Sequence, residues 1–283
     1  MKKITNAFSL ILASFFVLCG GGGSGTLAHD QSGPLRFGVY PYESARSINR
    51  LYAPIAERIE KKIGRKVLLL SAPDQNAFMA NARKGNYQLA LVSPFSLFKI
   101  QPVGYQVIAR GEPSFHGGVI VRNDSGIAGP EQLRGKKIAA IGRYSYGGYL
   151  YFRQELAGLG ISPDRDVAFT LLDKVDTVII GVLNKQYDAG VLRLDALNRA
   201  EFASVRDKLL VISRSPDIPQ FPFVVKAGME PKTVQAIREV LAAISGGNPE
   251  DQEILKSLQI ERIVAGEDAD YEAFRHVLEE SEQ

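Results

Sequence analysis

Apolar residues after residue 34 recur in two patterns, as short runs of about five residues and as longer stretches with helical spacing. Leu35–Val39 is a run of the first kind and predicts a strand. Within residues 45–63, Leu51, Ile55 and Ile59 recur at every fourth position, which predicts an amphipathic helix. Because such strands alternate with helices along most of the chain, the sequence predicts mixed, mostly parallel α/β sheets with helices on both faces.

Two hydrophilic breaks interrupt this alternation. The first is the run 123–126, Asn-Asp-Ser-Gly, and the second contains Pro216 and Pro219. They bracket about ninety residues, which is enough for one small domain. We therefore predict two lobes joined by two crossovers, one lobe of residues 35–122 plus 218–283 and the other of residues 123–217. Ligands of such folds bind at the carboxyl ends of strands, in a cleft that a hinge can close.

The first 28 residues have the pattern of an export signal. Lys2 and Lys3 precede an uncharged, apolar-leaning stretch of about thirteen residues, which is too short to span a bilayer. Cleavage after Ala28 is one route of processing. The other is lipidation of Cys19, which a flexible Gly/Ser-rich tether follows. Both routes predict a periplasmic or other extracytoplasmic protein, and the second anchors it to the membrane.

The composition limits the chemistry further. Lys and Arg number 34 against 31 Asp and Glu, and a body so close to neutral lacks the basic face that nucleic acid requires. A single Cys and three scattered His give no disulfide framework and no metal-ligand cluster. The chain also has no serine-hydrolase elbow and no P-loop. We therefore expect no metal, no cofactor and no catalytic residues.

Loops that leave the carboxyl ends of predicted strands carry the candidate binding chemistry. Two of them begin helices, where free backbone amides and the hydroxyls of Ser93 and Ser145 suit an anion. Tyrosines on the loops could form an aromatic wall, which would equally suit a quaternary ammonium group. Each feature alone is also typical of an ordinary helix cap or tight turn. The candidate ligand-binding residues are Tyr40, Tyr42, Ser93, Pro94, Phe95, His116, Arg143, Tyr144, Ser145, Tyr146, Gly147, Asp188 and Arg193.

Several of these segments resemble one protein family. The segments are Phe37-Gly38-Val39-Tyr40-Pro41, residues 90–96 (Ala-Leu-Val-Ser-Pro-Phe-Ser), 121–127, 133–137, 215–219 and Phe221-Pro222-Phe223. In this order they resemble the substrate-binding proteins of phosphate, phosphite and phosphonate ABC importers. The resemblance implies a two-lobed type II periplasmic-binding-protein fold and a permease partner in the inner membrane. It places the anion between the first loop, the Ser-Pro loop and a hydroxyl-rich turn of the second lobe.

The turn at residues 145–148 departs from the family pattern. Ser-Tyr-Gly-Gly keeps one hydroxyl of the usual cluster and replaces others by a phenol and a glycine, so a carboxylate or an organic phosphonate competes with phosphate as ligand. We expect a solute-binding protein that captures a small anion, phosphonate-like or phosphate-like, between its lobes and delivers it to an ABC importer. The alternatives are a periplasmic sensing module that signals to a membrane receptor or kinase, and, less favoured, an exported α/β enzyme.

Overall fold

Two β-sheets organise the chain in the computed structural model, which describes residues 33–143 and 145–275. The strands are β1 (Leu35–Val39), β2 (Val67–Leu70), β3 (Leu89–Leu91), β4 (Tyr105–Glu112), β5 (Gly117–Arg122), β6 (Lys137–Ile141), β7 (Ala168–Leu172), β8 (Ala189–Arg193), β9 (Leu209–Arg214), β10 (Pro222–Lys226) and β11 (Arg262–Ala265). The helices are α1 (Ala45–Ile63), α2 (Gln75–Arg83), α3 (Pro94–Ile100), α4 (Tyr151–Gly158), α5 (Val175–Leu183), α6 (Pro231–Ala243) and α7 (Pro249–Leu258). One π-helical turn, Tyr146–Leu150, leads directly into α4.

The two sheets define two lobes. Lobe 1 contains a six-stranded sheet in the order β11-β4-β10-β3-β1-β2, and lobe 2 a five-stranded sheet in the order β7-β6-β8-β5-β9. Both sheets are mixed, as predicted, but only β1–β2, β1–β3, β6–β7 and β6–β8 pair in parallel. These are the strands that α1, α2, α4 and α5 connect, because a parallel crossover needs a helix-length connection. The remaining pairings are antiparallel, so the sheets are less parallel than the sequence pattern indicates.

The chain crosses between the sheets twice. It leaves lobe 1 between Glu112 and Gly117 and returns between Arg214 and Pro222. The return coincides with the predicted second break. The first crossing precedes the predicted break near residue 123, because β5 already pairs with β8 and β9 and the polar run 123–126 is a turn within lobe 2. The two crossover segments pair with each other, since Phe115 and Ile218 exchange backbone N–H···O bonds of 2.8 Å.

Local sequence signals explain the helix ends. In α1, which has the predicted bounds, Ser44 Oγ accepts a hydrogen bond of 3.1 Å from the Ser47 amide at the start. Gly64 ends the helix with a φ of 64°, a left-handed conformation that glycine adopts without strain. The buried face of α1, which includes Ile55 and Ile59, packs into the core of lobe 1.

The C-terminal part differs from the sequence prediction. Strand β11 was not predicted, because its four residues read as the continuation of a loop after α7. The sequence pattern predicts an α-helix over 269–279, but residues 268–274 form a 3-10 helix, and the end of the predicted range lies outside the described residues. The predicted signal segment with Cys19 lies outside them as well. Among the described helices, none is both long and apolar enough to cross a bilayer.

Candidate functional site

A cavity lies between the two lobes, where loops from the carboxyl ends of β1, β3, β6 and β8 come together. It therefore brings together eight of the residues that the sequence singled out. Six further lining residues come from the crossover segments, the strand ends, the π-helical turn and α5. The lining residues are Tyr40, Tyr42, Ser93, Pro94, Phe115, Ile141, Ser145, Tyr146, Gly147, Gly148, Val175, Arg193, Ile218 and Phe221.

The cavity is narrow. Its volume is about 30 Å³. A water molecule occupies about 10–15 Å³ on this measure, so the cavity has room for about two water molecules. A larger solute requires that the lining side chains or the lobes shift from their present positions.

Arg193 supplies the positive charge of the cavity. Its Nε donates to Asp195 Oδ1 at 2.7 Å, and its Nη2 donates to Asp195 Oδ2 at 2.5 Å and to Gln220 Oε1 at 3.0 Å. The guanidinium carbon lies 4.3 Å from the ring centroid of Phe115 and 5.5 Å from that of Phe221. Burial by itself lowers the pKa of Arg193, but pairing with Asp195 outweighs burial and raises it. The side chain is thus a fixed, fully charged donor.

The tyrosines of the first loop form one wall. The hydroxyl oxygens of Tyr42 and Tyr52 lie 2.7 Å apart and share a hydrogen bond. Burial raises the pKa of Tyr42 to about 12, so this phenol stays neutral at physiological pH. Tyr40 packs its ring edge-to-face on Phe78 and Phe221. This wall is therefore rigid and aromatic.

Two helix caps face each other across the gap. Ser93 Oγ accepts from the Ser96 amide at 3.2 Å and donates to Ser96 Oγ at 2.8 Å. Ser145 Oγ accepts from the Gly148 amide at 3.1 Å. The capping role expected for both serines is present, and it leaves the hydroxyl proton of Ser145 available. A Cβ atom on Gly148 would lie 2.6 Å from Cβ of Ile141, so only glycine fits behind this cap.

Contacts outside the cavity join the lobes. Tyr146 of lobe 2 stacks on Phe95 of lobe 1 with ring centroids 5.2 Å apart and planes inclined by 6°. Arg199 of lobe 2 pairs with the buried Glu43 of lobe 1. Burial raises the pKa of Glu43, and the charge of Arg199 opposes that shift. Phe95 thus lies behind the cavity and supports Tyr146, and does not line it.

Three candidates predicted from the sequence lie away from the cavity. Asp188 sits at the amino end of β8, where its Oδ2 accepts from the Lys137 amide at 2.9 Å. That is the opposite sheet edge from Arg193, so the prediction for Asp188 took the wrong end of the strand. His116 bonds through Nδ1 to the Ser215 carbonyl at 2.9 Å and points its Nε2 at Asp217. Arg143 is exposed and does not line the cavity.

Tyr144 lies outside the described residues. The lining residues that sequence reasoning missed, Phe115, Ile218 and Phe221 above all, sit in or beside the crossovers. The Phe-Pro-Phe run at 221–223 was noticed for its resemblance but not for its position. Within residues 33–143 and 145–275 no group of His, Cys, Asp or Glu is arranged to hold a metal ion.

Comparisons with known proteins connect this architecture to one family. The model of the family described as "ABC transporter, phosphonate, periplasmic substrate-binding protein" matches residues 37–271. The phosphonates-binding periplasmic protein of Escherichia coli is 24% identical over 249 residues, which cover 82% of this chain and 72% of that protein. The tetrathionate sensor histidine kinase of Salmonella typhimurium is 22% identical over 224 residues, 74% of this chain but only 36% of the kinase.

Solved structures agree on the fold. The binding component of a phosphonate ABC transporter from Pseudomonas aeruginosa superposes with a TM-score of 0.79 at 20% identity, covering 89% of this chain and 87% of that one. PhnD1 of Prochlorococcus marinus in complex with methylphosphonate gives a TM-score of 0.80 at 14% identity, covering 87% and 97%. The fold is that of two-lobed periplasmic solute-binding proteins, as the sequence predicted, and not that of an enzyme. The chain belongs to the periplasmic substrate-binding protein family of phosphonate ABC transporters.

Proposed function

We propose that the protein captures a small organic anion, phosphonate-like in shape, between its lobes and delivers it to an ABC permease in the inner membrane. The observation that carries the proposal is the interlobe cavity, in which Tyr40 and Ser93 of lobe 1 face Ser145 and Arg193 of lobe 2. A solute held there touches both lobes, so it binds the closed arrangement more tightly than the open one. Methylphosphonate, the solute of one structural neighbour, is the natural first probe.

Closure would occur about the paired crossover segments. The bridge between Phe115 and Ile218 ties together the two segments by which the described chain passes from one sheet to the other. Such short paired segments can absorb a hinge rotation while each sheet stays rigid. We propose no catalytic step, because a binding protein needs only to hold and release the solute.

A screen of the mature chain tests the proposal. Thermal-shift measurements against methylphosphonate, phosphate, phosphite, acetate and choline should show stabilisation by an anion that grows with its concentration. Ser145→Ala should weaken binding about tenfold, because one hydrogen bond to a charged acceptor contributes about 1.5–3 kcal/mol. Asn248→Ala is the matched control, since it removes the N-cap of α7 without touching the cavity. Stabilisation by choline alone, or by none of these compounds, would contradict an anion site.

A sensing role is the second candidate, and the similarity to part of a sensor kinase favours it. Purified permease in lipid vesicles separates the two roles. The loaded protein should stimulate ATP hydrolysis by the ABC permease complex in those vesicles, whereas a sensor would leave that rate unchanged. The extracytoplasmic location follows from the family. We further propose anchoring through Cys19 or cleavage after Ala28, and mass spectrometry of the exported protein distinguishes these routes.

A further inference from the structure

The cavity offers an anion very little net positive charge. Among the described residues that line it, Arg193 alone is charged. Asp195 holds this guanidinium through two parallel hydrogen bonds, so the pair together is neutral. The next charged groups are Glu43, Arg199 and Asp176, which interact with one another and contribute one positive charge against two negative ones.

Hydrogen-bond donors are nevertheless available for one charged head group. Nη1 of Arg193 forms no hydrogen bond to any residue within 33–143 and 145–275. The amides of Tyr146 and Gly147 stand at the start of a helix and precede its first backbone bond, which runs from Leu150 to the Ser145 carbonyl. The rest of the lining is largely apolar, with Phe115, Ile141, Val175, Ile218 and Phe221.

The cost of burying an ion decides which anion such a site prefers. Desolvation cost grows with the square of the ionic charge, whereas the attraction to a fixed dipole or ion pair grows only in proportion to it. A second negative charge therefore adds a large cost that a neutral Arg–Asp pair cannot offset. We infer that the cavity selects anions of single negative charge with an apolar substituent over dianions of the same shape. This inference rests on the proposed solute-binding function.

Two tetrahedral anions of similar size test it by calorimetric titration of the wild-type protein at pH 6 and pH 8.5. Methanesulfonate carries one charge at both pH values, and its affinity should stay constant. Methylphosphonate is mainly a monoanion at the lower pH and a dianion at the higher, and its affinity should fall with the monoanion fraction, by about 5- to 10-fold. Equal methylphosphonate affinities, or failure of methanesulfonate to bind, would overturn the charge selectivity while leaving anion binding intact. If neither anion binds, the proposed function fails too.

A charge substitution gives an independent test. Asp195→Asn leaves Arg193 without its counter-charge, and a unit charge nearby in a partly buried site changes affinity by about tenfold or more. The variant should therefore bind the methylphosphonate dianion more tightly relative to methanesulfonate than the wild type does. Asp164→Asn is the matched control, because Asp164 also accepts two hydrogen bonds from one guanidinium, that of Arg153, on the surface of lobe 2. An unchanged preference in a folded Asp195→Asn protein would refute the inference.

Discussion

Replacing Gly142 with alanine should hold the lobes apart. Gly142 follows β6 in lobe 2 and faces Gln75, the first residue of α2 in lobe 1. A Cβ atom on Gly142 would lie 2.2 Å from Oε1 of Gln75 and 2.8 Å from its Cδ, far inside van der Waals contact. The Gln75 residue is only 4% exposed, so its carboxamide has little room to turn away. Relief of the overlap requires either rotation of this terminal carboxamide or a wider gap, and the burial of Gln75 favours the wider gap.

The magnitude follows from where the overlap occurs. Because Gly142 and Gln75 meet only when the lobes are close, the cost falls on the closed state. Overpacking of this kind costs about 1–3 kcal/mol, which corresponds to a loss of affinity of about 5- to 150-fold. The fold of lobe 2 should tolerate the change, since Gly142 is not among the glycines with positive φ.

Calorimetric titration with the strongest anion of the screen measures the loss. Gly158→Ala is the control, because a Cβ atom there meets nothing within 4 Å. Shortening the partner in the double variant Gln75→Ala/Gly142→Ala should restore most of the affinity, as expected for residues in direct contact. Wild-type affinity in Gly142→Ala, or no recovery in the double variant, would refute the reasoning.

The other predictions concern the contacts between the lobes and the buried charges. Tyr146→Ala should weaken binding about 2- to 10-fold by removing the stack on Phe95, whereas Tyr146→Phe should keep the stack, and calorimetry compares the two. Arg193→Met should lower the free energy of unfolding by about 1–3 kcal/mol in urea titrations, because Asp195 is left as an unpaired charge with little exposure to water; no measurable loss would contradict this. Burial raises the pKa of Glu43 in the folded state, so its carboxylate weakens the fold as pH rises through that pKa. The stability gained by Glu43→Gln over wild type should therefore grow between pH 4 and pH 7 in thermal melts, and a constant difference would disprove it.

Local patterns determined much of this molecule. Apolar spacing and a terminal glycine predicted α1 with its observed bounds, and the Ser-Pro pair at 93–94 predicted the start of α3. These signals act over one or two helical turns, so they can be read without knowing the rest of the chain. The rule that strand carboxyl ends meet then placed Tyr40, Ser93 and Ser145 at one site. The family followed from such segments taken in order.

Tertiary structure decided what depends on distant neighbours. Contacts between residues far apart in sequence place β5 in the sheet of lobe 2 and β11 at the edge of the sheet of lobe 1. The same holds for the contact of Gln75 with Gly142. Asp188 and Arg193 lie on the same strand, and only the pairing of that strand showed which of them faces the cavity. Likewise only the fold showed that Asp195 pairs with Arg193 and neutralises the positive charge that Arg193 would otherwise present to an anion. The sequence gives the number of charged residues and their positions along the chain. The effect of a charged residue on a ligand depends on which other charged residue the fold places beside it and on how far both are buried.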